Sequence, residues 1–114
     1  LKAVGETPEA LRDLSVSLDN VGNVARARGR LDEAESAYRE SLELRRRLLK
    51  AVGETPEALR DLSVSLNKVG DVARACGRLD EAEELGAEKP ILASRLARSV
   101  ESDRTDEGDP PNEE

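Results

Sequence analysis

The sequence predicts an all-α protein built as a stack of antiparallel helical hairpins. Three observations carry this. First, residues 1–35 match residues 49–83 at 31 of 35 positions, so the chain is a 48-residue repeat. An internal period of this size points to a solenoid, in which each unit buries its apolar face on its neighbours. Second, the composition is rich in Ala, Leu, Glu and Arg, the strong helix formers. Phe, Trp and Met are absent and Tyr38 is the one aromatic, which disfavours a β-sandwich or barrel. Third, the apolar residues recur at helical spacing. Leu59, Leu62, Leu66, Val69, Ala73 and Cys76 form a 3-4-3-4-3 stripe.

The elements follow in chain order. Leu1–Val4 copies Leu49–Val52, the end of a helix in the full repeat, and is read as the close of an earlier repeat; the chain is then a fragment of a longer array. Thr7, Pro8 and Glu9 supply an N-cap, a proline at the first helical position and an acid in the first turn. They open a helix over about 8–28, which Gly29 interrupts. A second helix spans 30–52 with Leu31, Ala34, Tyr38, Leu42, Leu49 and Val52 on its apolar side, and Gly53 ends it. The first repeat therefore occupies 1–52. Thr55, Pro56 and Glu57 restart the pattern for a helix over 56–76, broken at Gly77. The identity stops abruptly after Glu83, where EELGAEKPILASR replaces SAYRESLELRRRL. The second repeat, 53–89, thus ends in a degraded helix of about 78–88. Pro90 is expected to begin a separate capping helix over 90–101, with Leu92, Leu96 and Val100 at i, i+4 and i+8. Residues 102–114 carry six acids, one base and two prolines. They cannot bury enough surface to offset ordering entropy, and are read as a disordered acidic tail.

Composition also removes whole classes of function. With no His and with Cys76 as the lone cysteine, the chain cannot build a zinc site, a His-based triad or an internal disulfide. No cofactor is implied and no catalytic residue is assigned. The acids at Asp32, Glu33 and Glu35, repeated at Asp80, Glu81 and Glu83, are read as exposed residues at helix N-termini rather than an acid–base pair. Arg45–Arg47 is read as a solvated helix end, and the missing aromatics argue against a nucleic-acid partner. Cys76 reads as a small, half-buried residue. Without a long apolar run or a signal-type N-terminus, no membrane partner is expected and a cytoplasmic location is. Arg outnumbers Lys 14 to 4, which hints at GC-rich bacterial coding.

At 100° per residue, Arg12, Val16, Asp19, Asn23 and Arg26 cluster on one side of the first helix. Arg60, Val64, Asn67, Asp71 and Arg74 do the same on its copy. Of the four differences between copies (Asp19/Asn67, Asn20/Lys68, Asn23/Asp71 and Arg28/Cys76), two fall on this face. That pattern suits a fixed scaffold with a variable surface.

The small and apolar positions within each copy resemble the tetratricopeptide repeat family. Its signature, W-x2-L-G-x2-Y followed by A-x3-F and P, falls on Leu18, Val21, Gly22, Ala25, Ala34 and Tyr38. In the second copy it falls on Leu66, Val69, Gly70, Ala73 and Ala82. The sequence departs from it in four places: Leu replaces Trp, Ala replaces the first Tyr, Arg46 stands where Pro would be, and Gly86 replaces the second aromatic. The phrase RDLSVSLNKVGDV looks like a long-repeat bacterial subgroup, and the resemblance spans residues 1 to about 85. The excess of 48 over 34 residues is two heptads, one for each helix, which keeps both seams aligned.

The resemblance implies a right-handed solenoid in which Gly22, Ala34, Gly70 and Ala82 let paired helices approach closely. It also implies that the face named above lines a concave groove for peptides. The expected function is therefore a protein- or peptide-binding scaffold, not an enzyme. Four arginines against two aspartates on the face suggest an acidic or carboxylate-bearing ligand. The alternative is a structural segment that self-associates as a homo-oligomer, most simply a homodimer, with no separate ligand.

Overall fold

The computed structural model describes residues 7–106, with side chains to residue 98. Four helices follow one another: α1 (Pro8–Ala27), α2 (Leu31–Val52), α3 (Pro56–Ala75) and α4 (Leu79–Asp106). They pack sequentially as antiparallel pairs, α1 on α2 and α3 on α4, with α2 also packed on α3. The all-helical expectation holds.

The turn chemistry works as the sequence implies. The Thr7 and Thr55 hydroxyls accept hydrogen bonds from the amides of Ala10 and Ala58, both at 3.1 Å, satisfying orphan donors of α1 and α3. At the other end of α1, the Arg30 amide donates to the Ala25 carbonyl at 2.8 Å and the Gly29 amide to Arg26 at 3.0 Å. This Schellman arrangement requires a left-handed residue, and Gly29 supplies it at φ 78°. Gly77 does the same after α3, at φ 86°.

The main core lies where α2, α3 and α4 meet. Tyr38, Leu42, Leu62, Leu66, Val69 and Val72 are buried there together, with Leu49, Cys76 and Leu85 packed against them. A smaller cluster of Leu11, Leu44 and Leu48, with Leu18 against it, joins α1 to α2.

Pro90 does not begin a new helix. It lies inside α4, which runs without a break from Leu79 to Asp106. An interior proline forfeits a hydrogen bond and crowds the carbonyl four residues back. Packing overrides that cost. Ala82, Leu85, Leu92 and Leu96 all meet the body of the protein, and they share one stripe only if the helix continues in register. Salt bridges pin both sides of the proline, Glu88 to Arg46 at 2.8 Å and Arg95 to Glu54 at 3.2 Å. Gly86 occupies the position four residues before the proline, so no side chain adds to the crowding. The expected boundary at 101 is also exceeded, since helix persists to Asp106. Leu1–Val4, the remainder of the acidic tail and the Val100 side chain lie outside the described residues.

Candidate functional site

The first helices of the two repeats, α1 and α3, lie side by side. Arg12 on α1 reaches Asp61 at 2.8 Å and Glu57 at 3.3 Å, both on α3. Farther along, the Lys68 ammonium donates to Asn23 Oδ1 at 3.1 Å. These links tie α1 to α3 along one surface, and their α3 members, Glu57, Asp61 and Lys68, lie outside the set singled out in the sequence. Val16 and Val64 are exposed at equivalent positions on it, as are Arg26, Arg60, Asn67, Asp71 and Arg74. Arg74 makes a loose contact with Asp71 at 3.4 Å. Arg12 is half-buried, its guanidinium held by the α3 carboxylates. The hydrogen bond and charge of Asp61 hold Arg12 above the usual guanidinium range.

Asp19 is a correction. It is buried rather than on the open surface, and its carboxylate meets Arg45 Nη1 at 2.8 Å. Arg45 is likewise no part of a solvated run. Its guanidinium is buried, donating to Ser15 Oγ at 3.1 Å, Ser65 Oγ at 2.9 Å and the Asp61 carbonyl at 3.2 Å. One side chain of α2 thereby ties α1 to α3. Ser41 adds a hydrogen bond to the Ser15 carbonyl at 3.0 Å. A buried ion pair is tolerable only with such supporting hydrogen bonds. The sequence held one signal for this network: Asp19 is Asn67 in the second copy, where Arg45 is matched by Ala93. Acid and base disappear together.

Asn23 is exposed yet engaged. Its Oδ1 accepts a 2.5 Å hydrogen bond from the Tyr38 hydroxyl, and the Lys68 ammonium sits 5.4 Å from the centre of the Tyr38 ring. Burial lifts the Tyr38 hydroxyl above the usual phenol range, with Arg26 pulling the other way. The second copy has Gly86 in place of Tyr38 and Asp71 in place of Asn23. The differences 19/67 and 23/71 therefore follow the presence or loss of partners on the paired helix. In the second copy Asn67 accepts from Lys89 at 2.5 Å, and Lys89 replaces Ser41.

The opposite side is held by ion pairs that run from the first repeat to the second. Glu35 and Arg39 of α2 meet Arg78, just before α4, and Glu81 of α4, with Arg39–Glu81 at 2.6 Å and Arg39–Glu35 at 2.8 Å. The acids expected to be merely exposed at helix N-termini thus include two cross-helix partners. For Glu35, burial raises the carboxyl while hydrogen bonds from Arg78 and Arg39 outweigh it, leaving it below the usual range. Glu81 is lowered chiefly by its hydrogen bond from Arg39. No described helix is long and apolar enough to cross a membrane, and no group of acids and cysteine among the described residues is placed to hold a metal ion.

The Gly22–Tyr38 contact, with Ala34 fully buried at the same seam, puts small residues where the paired helices meet. The tetratricopeptide repeat family model matches residues 14–57, from α1 through α2 to the start of α3. This segment is a tetratricopeptide repeat. The match falls on the copy whose second helix keeps Tyr38. A tetratricopeptide repeat marks a protein–protein interaction module and is typically non-catalytic. Comparison with curated proteins and with solved structures gives no significant match.

Proposed function

We propose that the chain is a scaffold module whose α1/α3 surface binds an acidic peptide segment. The observation that carries this reading is the charge left once Asp19 is withdrawn into the core. Arg26, Arg60 and Arg74 then share the exposed surface with Asp71 as its one acid among the positions named, in a protein of net charge −7. Arginines supply bidentate donors to carboxylates, and a salt-sensitive attraction draws acidic partners. Val16 and Val64 offer two apolar contacts to the ligand backbone or side chains. Asn67 and Asp71 add polar groups to the surface.

The test titrates labelled acidic and basic peptide pools against the full chain and against the Arg26→Ala/Arg74→Ala variant at two salt concentrations. The reading expects preference for the acidic pool, weakened at least fivefold by the double substitution and by salt. Equal binding of both pools, indifferent to salt and substitution, refutes it. Sedimentation of the ligand-free chain tests the alternative of a purely self-associating segment.

A further inference from the structure

The second hairpin departs from the first in α4, and the departure shapes a hollow between α2 and α4. Of the α4 residues that line it, Glu88, Leu92 and Arg95 keep the residue types of their counterparts in α2, Glu40, Leu44 and Arg47. Ile91 does not, for it stands where the first copy has the exposed Glu43. Ile91 is itself 54% exposed, so an acid at a solvent position has become an isoleucine that the core does not use.

The hollow measures about 370 Å³. Its floor is apolar, with Leu62 and Leu92 buried and Leu49 half-buried. Ion pairs fence both ends. At one end Arg46 of α2 meets Glu88 of α4 at 2.8 Å; at the other Arg95 of α4 meets Glu54, just after α2, at 3.2 Å. Glu88 and Arg95 are seven residues apart, about 10 Å along the helix axis. Lys50, on the chain between Arg46 and Glu54, is exposed at the rim and meets no acid among the described residues.

The lining carries three cations and one acid in a protein of net charge −7. Each arginine has five N–H donors, more than one carboxylate can accept. An occupant therefore needs an apolar body for the leucines and Ile91, and an anionic end for Lys50. Small-molecule sites begin at about 300 Å³ and are mostly apolar with a few placed polar groups. A polypeptide lying along the hollow would have to run on across an ion pair, whereas a compact molecule ends inside the fence. We propose that the hollow binds a small aliphatic carboxylate, its acyl chain on the leucine floor and its carboxylate on Lys50, with spare donors of Arg46 and Arg95 beside it. The site is separate from the α1/α3 surface: α1 contributes nothing to it and α3 only Leu62.

Ile91 is the single isoleucine of the chain, so its δ1 methyl gives one resonance in an isoleucine-labelled sample. The full chain is titrated with sodium octanoate while that resonance is followed. A saturable shift below 1 mM is expected. Lys50→Gln should weaken binding at least fivefold with helicity and melting temperature unchanged, because the ammonium holds nothing in the fold. Ile91→Glu, which restores the acid of the first copy, should abolish the calorimetric heat of binding. Octylamine, equal in length and opposite in charge, should bind at least fivefold more weakly than octanoate. The Arg26→Ala/Arg74→Ala variant should bind octanoate unchanged, which separates this site from the proposed peptide surface. No saturable shift up to 1 mM overturns the proposal. So does equal binding of octanoate and octylamine, or calorimetric binding that leaves the Ile91 methyl unmoved, since the ligand then sits elsewhere. A saturable Ile91 shift from a leucine-bearing acidic peptide that octanoate fails to compete also overturns it, since the occupant is then a polypeptide.

Discussion

Gly22 and Gly70 are sequence twins in equivalent helices, yet the same substitution should move stability in opposite directions. A Cβ added at Gly22 would lie 2.6 Å from Tyr38 Cδ1 and closer still to Cε1. Tyr38 is fully buried and tied by its hydroxyl to Asn23, so the ring has little room to yield. At Gly70 a Cβ meets nothing within 4 Å, because the aromatic has become Gly86. Replacing an interior helical glycine by alanine contributes about 1 kcal/mol of helix propensity. At Gly70 that gain stands alone. At Gly22 it opposes an overpacking cost of roughly 1–3 kcal/mol, rising toward about 3–5 kcal/mol if the ring is expelled. A central cost of about 3 kcal/mol leaves Gly22→Ala destabilised by about 2 kcal/mol. With roughly 4–8 °C per kcal/mol for a domain of this size, Gly70→Ala should melt about 5 °C higher and Gly22→Ala about 10 °C lower. Thermal unfolding followed by circular dichroism at 222 nm reads both. In a Tyr38→Ala background, Gly22→Ala should turn favourable, since the ring that opposes it is gone. Equal shifts for the two glycines in the parent chain would refute the reasoning.

Other perturbations probe the polar core, the ion pairs and the proline. Arg45→Ala strands Asp19 in the core and should cost about 3 kcal/mol or more, while adding Asp19→Asn, the pairing present in the second repeat, should recover much of it; urea unfolding midpoints of the two variants check this. Glu35 and Glu81 titrate below the usual carboxylate value of 4.5, so their stabilising contribution is fully present above that pH and is lost as pH falls through the lowered folded values. Glu35→Gln should therefore shrink the loss of stability between pH 5 and 3 in urea titrations. Pro90→Ala should stabilise the chain by roughly 2–3 kcal/mol and raise helicity, because packing already holds α4 continuous on both sides; an unchanged melting temperature would contradict this.

Local signals along the chain were enough for α1 to α3, their pairing and their ends, and for the start of α4. Caps and breaks are local chemistry: a threonine hydroxyl three residues before an amide, or a glycine at positive φ. The 3-4 stripes say which side of each helix seeks apolar company, and identity between copies says that the hairpin recurs. None of these signals reports distance between residues far apart in the chain. That is why Asp19 read as a surface residue and Arg45 as part of a solvated run. A helical wheel places a side chain in angle, but not opposite a particular partner. Only tertiary structure joined them, through a buried arginine that finds acceptors on α1 and α3 at once. It likewise decided Pro90. Propensity at one residue opposes the helix, while Leu85, Leu92 and Leu96 on a common face, with salt bridges on both sides of the proline, outweigh it. The same sum over many contacts decided the fate of identical residues. Leu62, Val69 and Val72 are core and Leu14, Val21 and Val24 are surface, because burial belongs to the neighbour as much as to the residue.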